Sequence, residues 1–195
     1  MGMNVIIRKF HTLLSNPVGV YRKYKGKLKS KLVKLIGGIP PIYEEDYDRH
    51  WNYTSFKNKV VLDLGADYGS TAYYFLRRGA SKVIAVEGDP KLASKLRLNF
   101  QNDKRVIPIE KFIDSSKKIE MLISQYNPDL VKVDIEGEER HILNMANFTQ
   151  VKEWLIETHS KEVHDILSKF LIDHAFQIRS INYEGDIGII HALKV

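Results

Sequence analysis

The 195-residue sequence predicts an α/β fold with a doubly wound, mostly parallel sheet of seven strands and a C-terminal antiparallel hairpin. Two observations predict it. Apolar runs typical of strands buried on both faces alternate with helical stretches, and parallel strands need such crossover helices between them. Near the C-terminus, two further strand patterns flank the segment YEGD at 183–186, which is a hairpin signal.

The predicted sheet begins with the segment KVVLDLGAD. Its strand is apolar except for Asp63 and ends at Gly65, as expected for a strand buried on both faces. After a helix predicted at 70–78, a second strand at 82–86 is followed by an acid, Glu87. A strand, a glycine turn, a helix and a strand ending in an acid form half of a nucleoside-binding fold, in which the acid accepts hydrogen bonds from the ribose hydroxyls.

The remaining elements follow from the same alternation. Asp89 and Pro90 are a good N-cap and first-turn pair, and Ser160 is the expected N-cap of the last helix. The pattern predicts helices at 90–100, 116–126, 138–145 and 161–174, and strands at 105–109, 129–135, 151–157, 176–182 and 187–195.

The composition excludes several classes of protein. The chain contains no cysteine, so it forms no disulfide, thiolate metal site or thiolate nucleophile. No run approaches the roughly 18–20 apolar residues that span a bilayer, and the N-terminus lacks the apolar core of a signal peptide. We therefore expect a cytoplasmic protein with no transmembrane segment.

The charge divides the chain into two expected parts: a basic helical N-terminal arm or lid at 1–43, and a domain at 44–195. The arm contains nine Lys and Arg residues and no acid, whereas the domain contains 21 bases and 24 acids. Apolar stripes at helical spacing predict two helices in the arm. The favoured interpretation is a lid that packs on the domain with its lysines solvated. Contact with nucleic acid, with an anionic membrane surface or another acidic partner, or with a second subunit of a homo-oligomer are alternatives.

The segment 42–58 connects the arm to the first strand, and we expect it to be irregular. It is rich in aromatic residues, namely Tyr43, Tyr47, Trp51 and Tyr53. These side chains are interpreted as the packing that docks the arm, with the floor of a ligand pocket as the alternative.

Two passages resemble the signatures of the FkbM-type methyltransferases. VLDLGADYG at 61–69 resembles the motif D-x-G-A-N-x-G, and LVKVDIEGEE at 130–139 resembles K-I-D-V-E-G-x-E. The resemblance covers roughly residues 55–160. Asp67 departs from it, since the family usually has Asn there, and we expect this side chain to point away from the ligand or to bond the backbone. The first turn also lacks the spacing G-x-G-x-x-G of nicotinamide dehydrogenases.

The resemblance implies a Rossmann-like domain that binds S-adenosylmethionine (SAM). Asp63 would hold the SAM ammonium, directly or through water, or would only anchor the turn. Gly65 would let the backbone approach the methionyl part, and Glu87 would accept the ribose hydroxyls. The adenine would lie against the loop after the third strand, where Phe112 is either a core or a base-stacking residue. The implied cofactor-binding residues are Asp63, Gly65, Ala66, Asp67, Tyr68, Gly69, Glu87, Gly88, Glu110 and Lys111, with the amides of 66–69 facing the ligand carboxylate.

The same resemblance places the methyl-transfer site at the end of the fourth strand. Asp134 would act as general base or orient a substrate hydroxyl, with Glu136 and His159 beside it as the other catalytic candidates. Glu136 and Glu139 would alternatively cap the following helix, which is the favoured interpretation for Glu139. A divalent metal held by His159 and the carboxylates of both strand ends, Glu157 included, is an alternative to a plain polar role for His159, and the plain role is favoured.

The acceptor is predicted only by class. Methyltransferases that act on the exocyclic amino groups of bases typically have an Asn/Asp-Pro-Pro-aromatic tetrapeptide where this chain has Asp-Ile-Glu-Gly at 134–137. The resemblance therefore favours O-methylation of a small molecule or a sugar hydroxyl, including a glycan. An RNA methyltransferase that holds tRNA or rRNA with the basic arm is the alternative, and a non-catalytic SAM-binding or interaction module is a second one.

Overall fold

The computed structural model describes residues 47–184 and 187–195, so the predicted arm and Tyr43 lie outside the described residues. The described part contains five α-helices, two 3₁₀-helices and seven strands. The α-helices are α1 (Tyr47–Trp51), α2 (Ser70–Arg77), α3 (Pro90–Asn99), α4 (Ser116–Tyr126) and α5 (Lys161–Asp173). The strands are β1 (Val60–Leu64), β2 (Lys82–Glu87), β3 (Val106–Glu110), β4 (Leu130–Val133), β5 (Glu153–Thr158), β6 (Phe176–Glu184) and β7 (Ile187–Lys194), and the 3₁₀-helices are Glu138–Asn144 and Phe148–Gln150.

The strands form one sheet in the order β3-β2-β1-β4-β5-β7-β6. The pairs from β3 to β5 are parallel, and β7 runs antiparallel to both β5 and β6. The predicted fold class, a seven-stranded Rossmann-like sheet with a closing antiparallel hairpin, is confirmed. The strand order reverses between β1 and β4, and ligands of open α/β sheets bind outside the carboxyl ends of the strands at such a switch point.

Apolar side chains cover both faces of the sheet. On β5, Trp154 and Ile156 belong to one buried cluster and Leu155 to the other. β1 alternates in the same way, with Leu62 on the first face and Val61 on the second. Because successive strand residues point to opposite faces, this burial on both sides accounts for the nearly continuous apolar runs in the sequence.

Three local predictions are corrected. The segment predicted as irregular contains the helix α1, whose Tyr47 hydroxyl donates a hydrogen bond to Ser70 Oγ at 2.9 Å. Trp51 at the end of α1 is almost fully buried, so packing against the domain holds this short helix in place. The predicted helix at 138–145 is a 3₁₀-helix, and β4 ends at Val133, so that the acids predicted at the strand end lie in the loop after it.

The helix starts agree with the prediction. The Asp89 side chain accepts hydrogen bonds from the amides of Lys91 and Leu92, and Ser160 Oγ accepts one from Val163. In the ranges 47–184 and 187–195, no helix combines the length and apolar character that crossing a bilayer requires.

Candidate functional site

The carboxyl ends of β1, β2, β4 and β5 bring the predicted site residues to one edge of the sheet. Asp63 and Glu87 come from the ends of β1 and β2. Asp134 follows β4, and His159 follows β5. Because these strands are parallel neighbours, residues separated by up to about 100 positions in the sequence lie together at the topological switch point.

Gly65 is required by contact within the protein. Its φ angle is 79°, and a Cβ atom added there would lie 1.7 Å from the carbonyl oxygen of Asp134. The close approach that demands a glycine is thus between the loops after β1 and β4. Room for the methionyl part of a ligand at this glycine stays a prediction.

The amides of 66–69 were expected to face a ligand carboxylate, and the structure does not support that expectation. Ala66 N donates to the carbonyl of Val86 at 3.0 Å, and Gly69 N donates to the carbonyl of Ala66 at 2.8 Å. Asp67 N donates to Glu87 Oε2 at 2.8 Å, and the amide of Tyr68 bonds the Asp67 carboxylate. All four donors therefore have acceptors inside the protein.

Glu87 ties together the two loops that surround it. While Oε2 accepts from Asp67, Oε1 accepts from the amide of Asp89 at 2.8 Å. Each carboxylate oxygen has two lone pairs, so both can accept a further hydrogen bond from a ribose hydroxyl. Asp67 has φ 52°, a left-handed conformation that Asn and Asp tolerate best. Burial raises the pKa of Asp67 to about 6, with a further contribution from the charge of Glu87.

Asp63 belongs to a buried polar cluster. Its Oδ2 accepts from Thr71 Oγ1 at 2.6 Å, and its Oδ1 lies 3.2 Å from Lys132 Nζ. Burial raises the pKa of Asp63, opposed by the charge of Lys132. Its side chain has no exposed surface, and the hydrogen bond from Thr71 agrees with the interpretation in which Asp63 anchors the turn. A contact with a SAM ammonium, directly or through water, stays a prediction.

Lys132 joins the loops after β1 and β4. It donates to the carbonyl of Gly65 at 2.7 Å, lies 3.3 Å from Asp134 Oδ2, and sits 5.3 Å from the ring centroid of Trp51. Burial would lower the pKa of Lys132, but the charges of Asp63 and Asp134 outweigh it and raise the pKa overall. No role is predicted for this lysine from the sequence, although one charge inside the apolar strand LVKV is a visible signal.

The predicted adenine loop follows β3. Glu110 is exposed and pairs with Arg97 at 2.8 Å, and the amide of Lys111 donates to the carbonyl of Glu87. Phe112 is 61% exposed and lies against Gly88, where an added Cβ would come 2.8 Å from the ring. Phe112 is therefore not a core residue, and base stacking is the interpretation of it that remains.

Four carboxylates surround His159 beyond β4 and β5. Its Nδ1 lies 2.8 Å from Glu139 Oε1. Its Nε2 faces three other oxygens, on Glu136, Asp134 and Glu157, at 3.5, 3.8 and 3.9 Å. The predicted trio of Asp134, Glu136 and His159 is thus brought together. Glu136 is 87% exposed and has φ 53°, so it stands at the mouth of the group.

The close charges around His159 shift the pKa values of three of these residues. The hydrogen bond to Glu139 raises the pKa of His159 to about 9 against the effect of burial, and the charges of Asp134 and Glu136 add to the increase. Burial raises the pKa of Asp134, opposed by Lys132. Glu139 is fully buried, yet hydrogen bonds from His159 and from the amide of Gly137 lower its pKa overall.

Glu139 has the predicted helix-capping contact and a second contact that the sequence did not indicate. It does accept from the amide of Gly137 at 3.0 Å, at the start of the 3₁₀-helix. Its main partner, however, is His159, which the sequence places 20 positions away. The sequence motif marked this glutamate without indicating that the histidine after β5 would lie against it.

No family model matches the chain. Among curated proteins, uncharacterized protein 158B of Sulfolobus islandicus rod-shaped virus 1 is 28% identical over 130 residues, which is 65% of this chain and 78% of that protein. Membership of the FkbM-type family therefore remains a prediction.

Solved structures share the fold. The tRNA methyltransferase TrmK of B. subtilis has a TM-score of 0.57 at 16% identity, and M. capricolum TrmK, in complex with S-adenosylhomocysteine (SAH), has 0.56 at 18%. A precorrin-6y methyltransferase of Geobacter metallireducens has 0.55 at 20%. The alignments cover 74%, 71% and 71% of this chain and 63%, 64% and 81% of those chains. This chain thus spans less than two thirds of either TrmK, and the likeness establishes that it shares the Rossmann-like fold of these proteins.

Proposed function

We propose that this chain is a SAM-dependent methyltransferase. The observation that carries the proposal is the position of Glu87, at the end of the strand beside the switch point and between two loops that its carboxylate holds. The fold shared with methyltransferases, one of them bound to SAH, supports the same cofactor. Phe112 is exposed beside Gly88, next to Glu87, where an adenine attached to the ribose would be within reach.

Calorimetric titration with SAM and SAH tests the cofactor. We expect micromolar binding by the wild type and a loss of affinity of about 30-fold or more in Glu87→Ala, since two hydrogen bonds to a charged acceptor are removed. Glu162→Ala, an exposed acid on α5, is the matched control and should bind like the wild type. Wild-type protein that binds neither compound, or Glu87→Ala that binds both unchanged, would contradict the proposal.

RNA is the acceptor class that we propose. It is supported by the fold shared with TrmK of B. subtilis, a tRNA methyltransferase, and by the nine bases and no acids of residues 1–43. The comparisons favour this alternative over the small-molecule acceptor that the sequence motif favoured. Lysines that contact phosphates release counterions, so the affinity for RNA should fall linearly with salt on logarithmic axes.

Fluorescence titration with unmodified tRNA over a salt series tests the RNA proposal. In the triple variant Lys25→Gln, Lys27→Gln, Lys29→Gln we expect weaker binding and a salt slope smaller by about one for each lysine that contacts a phosphate. The control variant changes three lysines of the domain, Lys118, Lys161 and Lys169, to Gln. Equal effects of both variants, or no binding at low salt, would exclude a specific role of the N-terminal lysines.

A hydroxyl of a sugar or small molecule is the second candidate acceptor. The group around His159 has four carboxylates against one lysine, Lys132, and two histidines, His159 and His50, which favours a neutral or cationic acceptor over a phosphate at that point. Asp134, 26% exposed at its side chain, is the base or orienting group for such a hydroxyl. Transfer of a tritiated methyl group from SAM into RNA, or into glycan and small-molecule fractions of the same extract, distinguishes the two acceptor classes.

A further inference from the structure

Asp134, Glu157 and His159 offer three donor atoms to a common point. Glu157 and His159 lie at and just beyond the end of β5, and Asp134 follows β4 beside it. Their ligand atoms all lie within 4.8 Å of one another. We propose that these three residues bind one divalent transition-metal ion, of the Mn²⁺ or Zn²⁺ class, at the carboxyl edge of the sheet.

The distances fit a shared ion after a small movement. Two donors that are each about 2.1 Å from one ion can be at most about 4.2 Å apart. His159 Nε2 already meets this limit, at 3.8 Å from Asp134 Oδ1 and 3.9 Å from Glu157 Oε1. The remaining pair needs to close by less than 1 Å, roughly the reach of one side-chain rotation.

The orientation of His159 is that of a metal-binding histidine. Metal-ligating imidazoles nearly always donate their second N–H to a carboxylate or carbonyl, which fixes the ring and its tautomer. Here Nδ1 is 2.8 Å from Glu139, whose carboxylate is fully buried and is itself held by the amide of Gly137. Nε2 is thereby directed at Asp134 and Glu157.

Glu157 points into the site without a hydrogen bond of its own. The residue is 8% exposed, and within the described ranges its carboxylate has only longer ion-pair contacts, 3.6 Å to His50 and 3.9 Å to His159. Buried carboxylates are ordinarily hydrogen-bonded or bound to a metal, because an unpaired buried charge is costly. With Asp134 and Glu136 beside it, a divalent cation would balance the excess negative charge.

The donor set indicates the class of metal. Carboxylates alone suit Mg²⁺ and Ca²⁺, whereas an imidazole in the set favours transition metals such as Mn²⁺ and Zn²⁺. Three protein ligands leave a position open for a further oxygen ligand. A Lewis acid there would lower the pKa of a bound hydroxyl, and only this use of the ion rests on the proposed function.

Titration with Mn²⁺, followed by the electron paramagnetic resonance of the free ion, tests the site directly on the full chain. We expect one Mn²⁺ per chain, competed by Zn²⁺ and poorly by Mg²⁺. Glu157→Gln and His159→Gln should each weaken binding about tenfold or more. Glu138→Gln is the matched control, because Glu138 lies in the same region but pairs with His141, and it should bind like the wild type.

Two results would overturn the metal site: no saturable binding by wild type up to about 1 mM Mn²⁺, or equal binding by wild type and Glu157→Gln. The near-UV circular dichroism of each variant establishes that it is folded, and Glu157→Gln decides the matter if His159→Gln does not fold. SAM titrations of the same preparations separate the two proposals. Binding of SAM without binding of Mn²⁺ would contradict only the proposed metal site. Binding of Mn²⁺ without binding of SAM would contradict only the proposed methyltransferase function.

Discussion

Two buried glutamates at opposite ends of β5 differ in how they are satisfied. Glu153, at the amino end of β5 and 4% exposed, accepts a hydrogen bond from Lys59 Nζ and lies 2.7 Å from His191 Nε2. Glu157, at the carboxyl end and 8% exposed, has only contacts of 3.6 Å and longer. The two residues share a strand, a residue type and a degree of burial, yet one is fully partnered and the other is not.

This difference in hydrogen bonding distinguishes a glutamate that stabilises the fold from one that is available to a ligand. A buried charge with complete hydrogen bonding stabilises one arrangement of the chain, and removing a partner is costly. A buried carboxylate that has only long contacts stabilises the fold little by itself. Such a carboxylate is typical of a binding site, in which the ligand supplies the missing partner. The carboxyl edge contains both kinds, since Lys132 donates to the carbonyl of Gly65 and pairs with Asp63 at 3.2 Å, whereas Nε2 of His159 has only contacts of 3.5 Å and longer in the described part of the chain.

The largest effect on stability is expected for Lys132→Met. Removing this buried cation leaves Asp63 and Asp134 uncompensated, which should lower the free energy of unfolding by about 4 kcal/mol in urea denaturation. Asp63→Asn in the same background should restore part of the loss, because one of the two unpaired charges is then gone. Lys161→Met, at an exposed lysine of α5, is the control. If Lys132→Met lost no more stability than the control variant, Lys132 would not stabilise the fold as described.

Glu153→Gln should have the next largest effect, lowering the free energy of unfolding by about 2 kcal/mol because His191 and Lys59 lose a charged acceptor. Since Glu153 lies at the edge remote from the proposed site, SAM affinity measured by calorimetry should not change. Glu162→Gln on α5 is the control for the same chemical change. If a folded Glu153→Gln protein lost affinity for SAM, Glu153 would not have the purely structural role described here.

The pH dependence of stability should identify the same glutamate. Burial favours a raised pKa for Glu153, but the hydrogen bonds with His191 and Lys59 dominate and lower it to about 2, from 4.5 in the unfolded chain. Its stabilising contribution is therefore complete above about pH 4.5 and is lost as the pH falls toward 2, by at most about 1.4 kcal/mol per pH unit. Urea denaturation of wild type and Glu153→Gln between these pH values should give a steeper loss for the wild type. Parallel curves would contradict the prediction.

The smallest effect is expected for Glu157→Gln in a metal-free buffer. The change removes a negative charge that faces Asp134 and Glu136 without breaking a hydrogen bond, so the free energy of unfolding should change by no more than about 0.5 kcal/mol. Urea denaturation of Glu157→Gln and Glu153→Gln side by side compares the same substitution at the two ends of β5. If both variants lose equal stability, the two ends of β5 do not differ as described.

Most of the fold was predictable because its signals are local. Apolar runs gave the strands, and the caps at Asp89 and Ser160 gave two helix starts. The helix α1 was missed because five residues carry little periodic signal and the helix depends on the burial of Trp51. The hairpin around 185–186 was predicted by its turn residues, and the pairing of β6 with β7 agrees.

The sequence by itself determined the order of strands and helices along the chain and placed Glu87 at the end of β2, because periodicity and turn chemistry act over a few residues. Only the tertiary structure decided what those residues touch. It showed that Gly65 leaves room for the Asp134 carbonyl, that Lys132 donates a hydrogen bond to the carbonyl of Gly65, and that Glu139 orients His159. These contacts join separate strands of a parallel sheet, and their distances depend on register and burial, which no local pattern records.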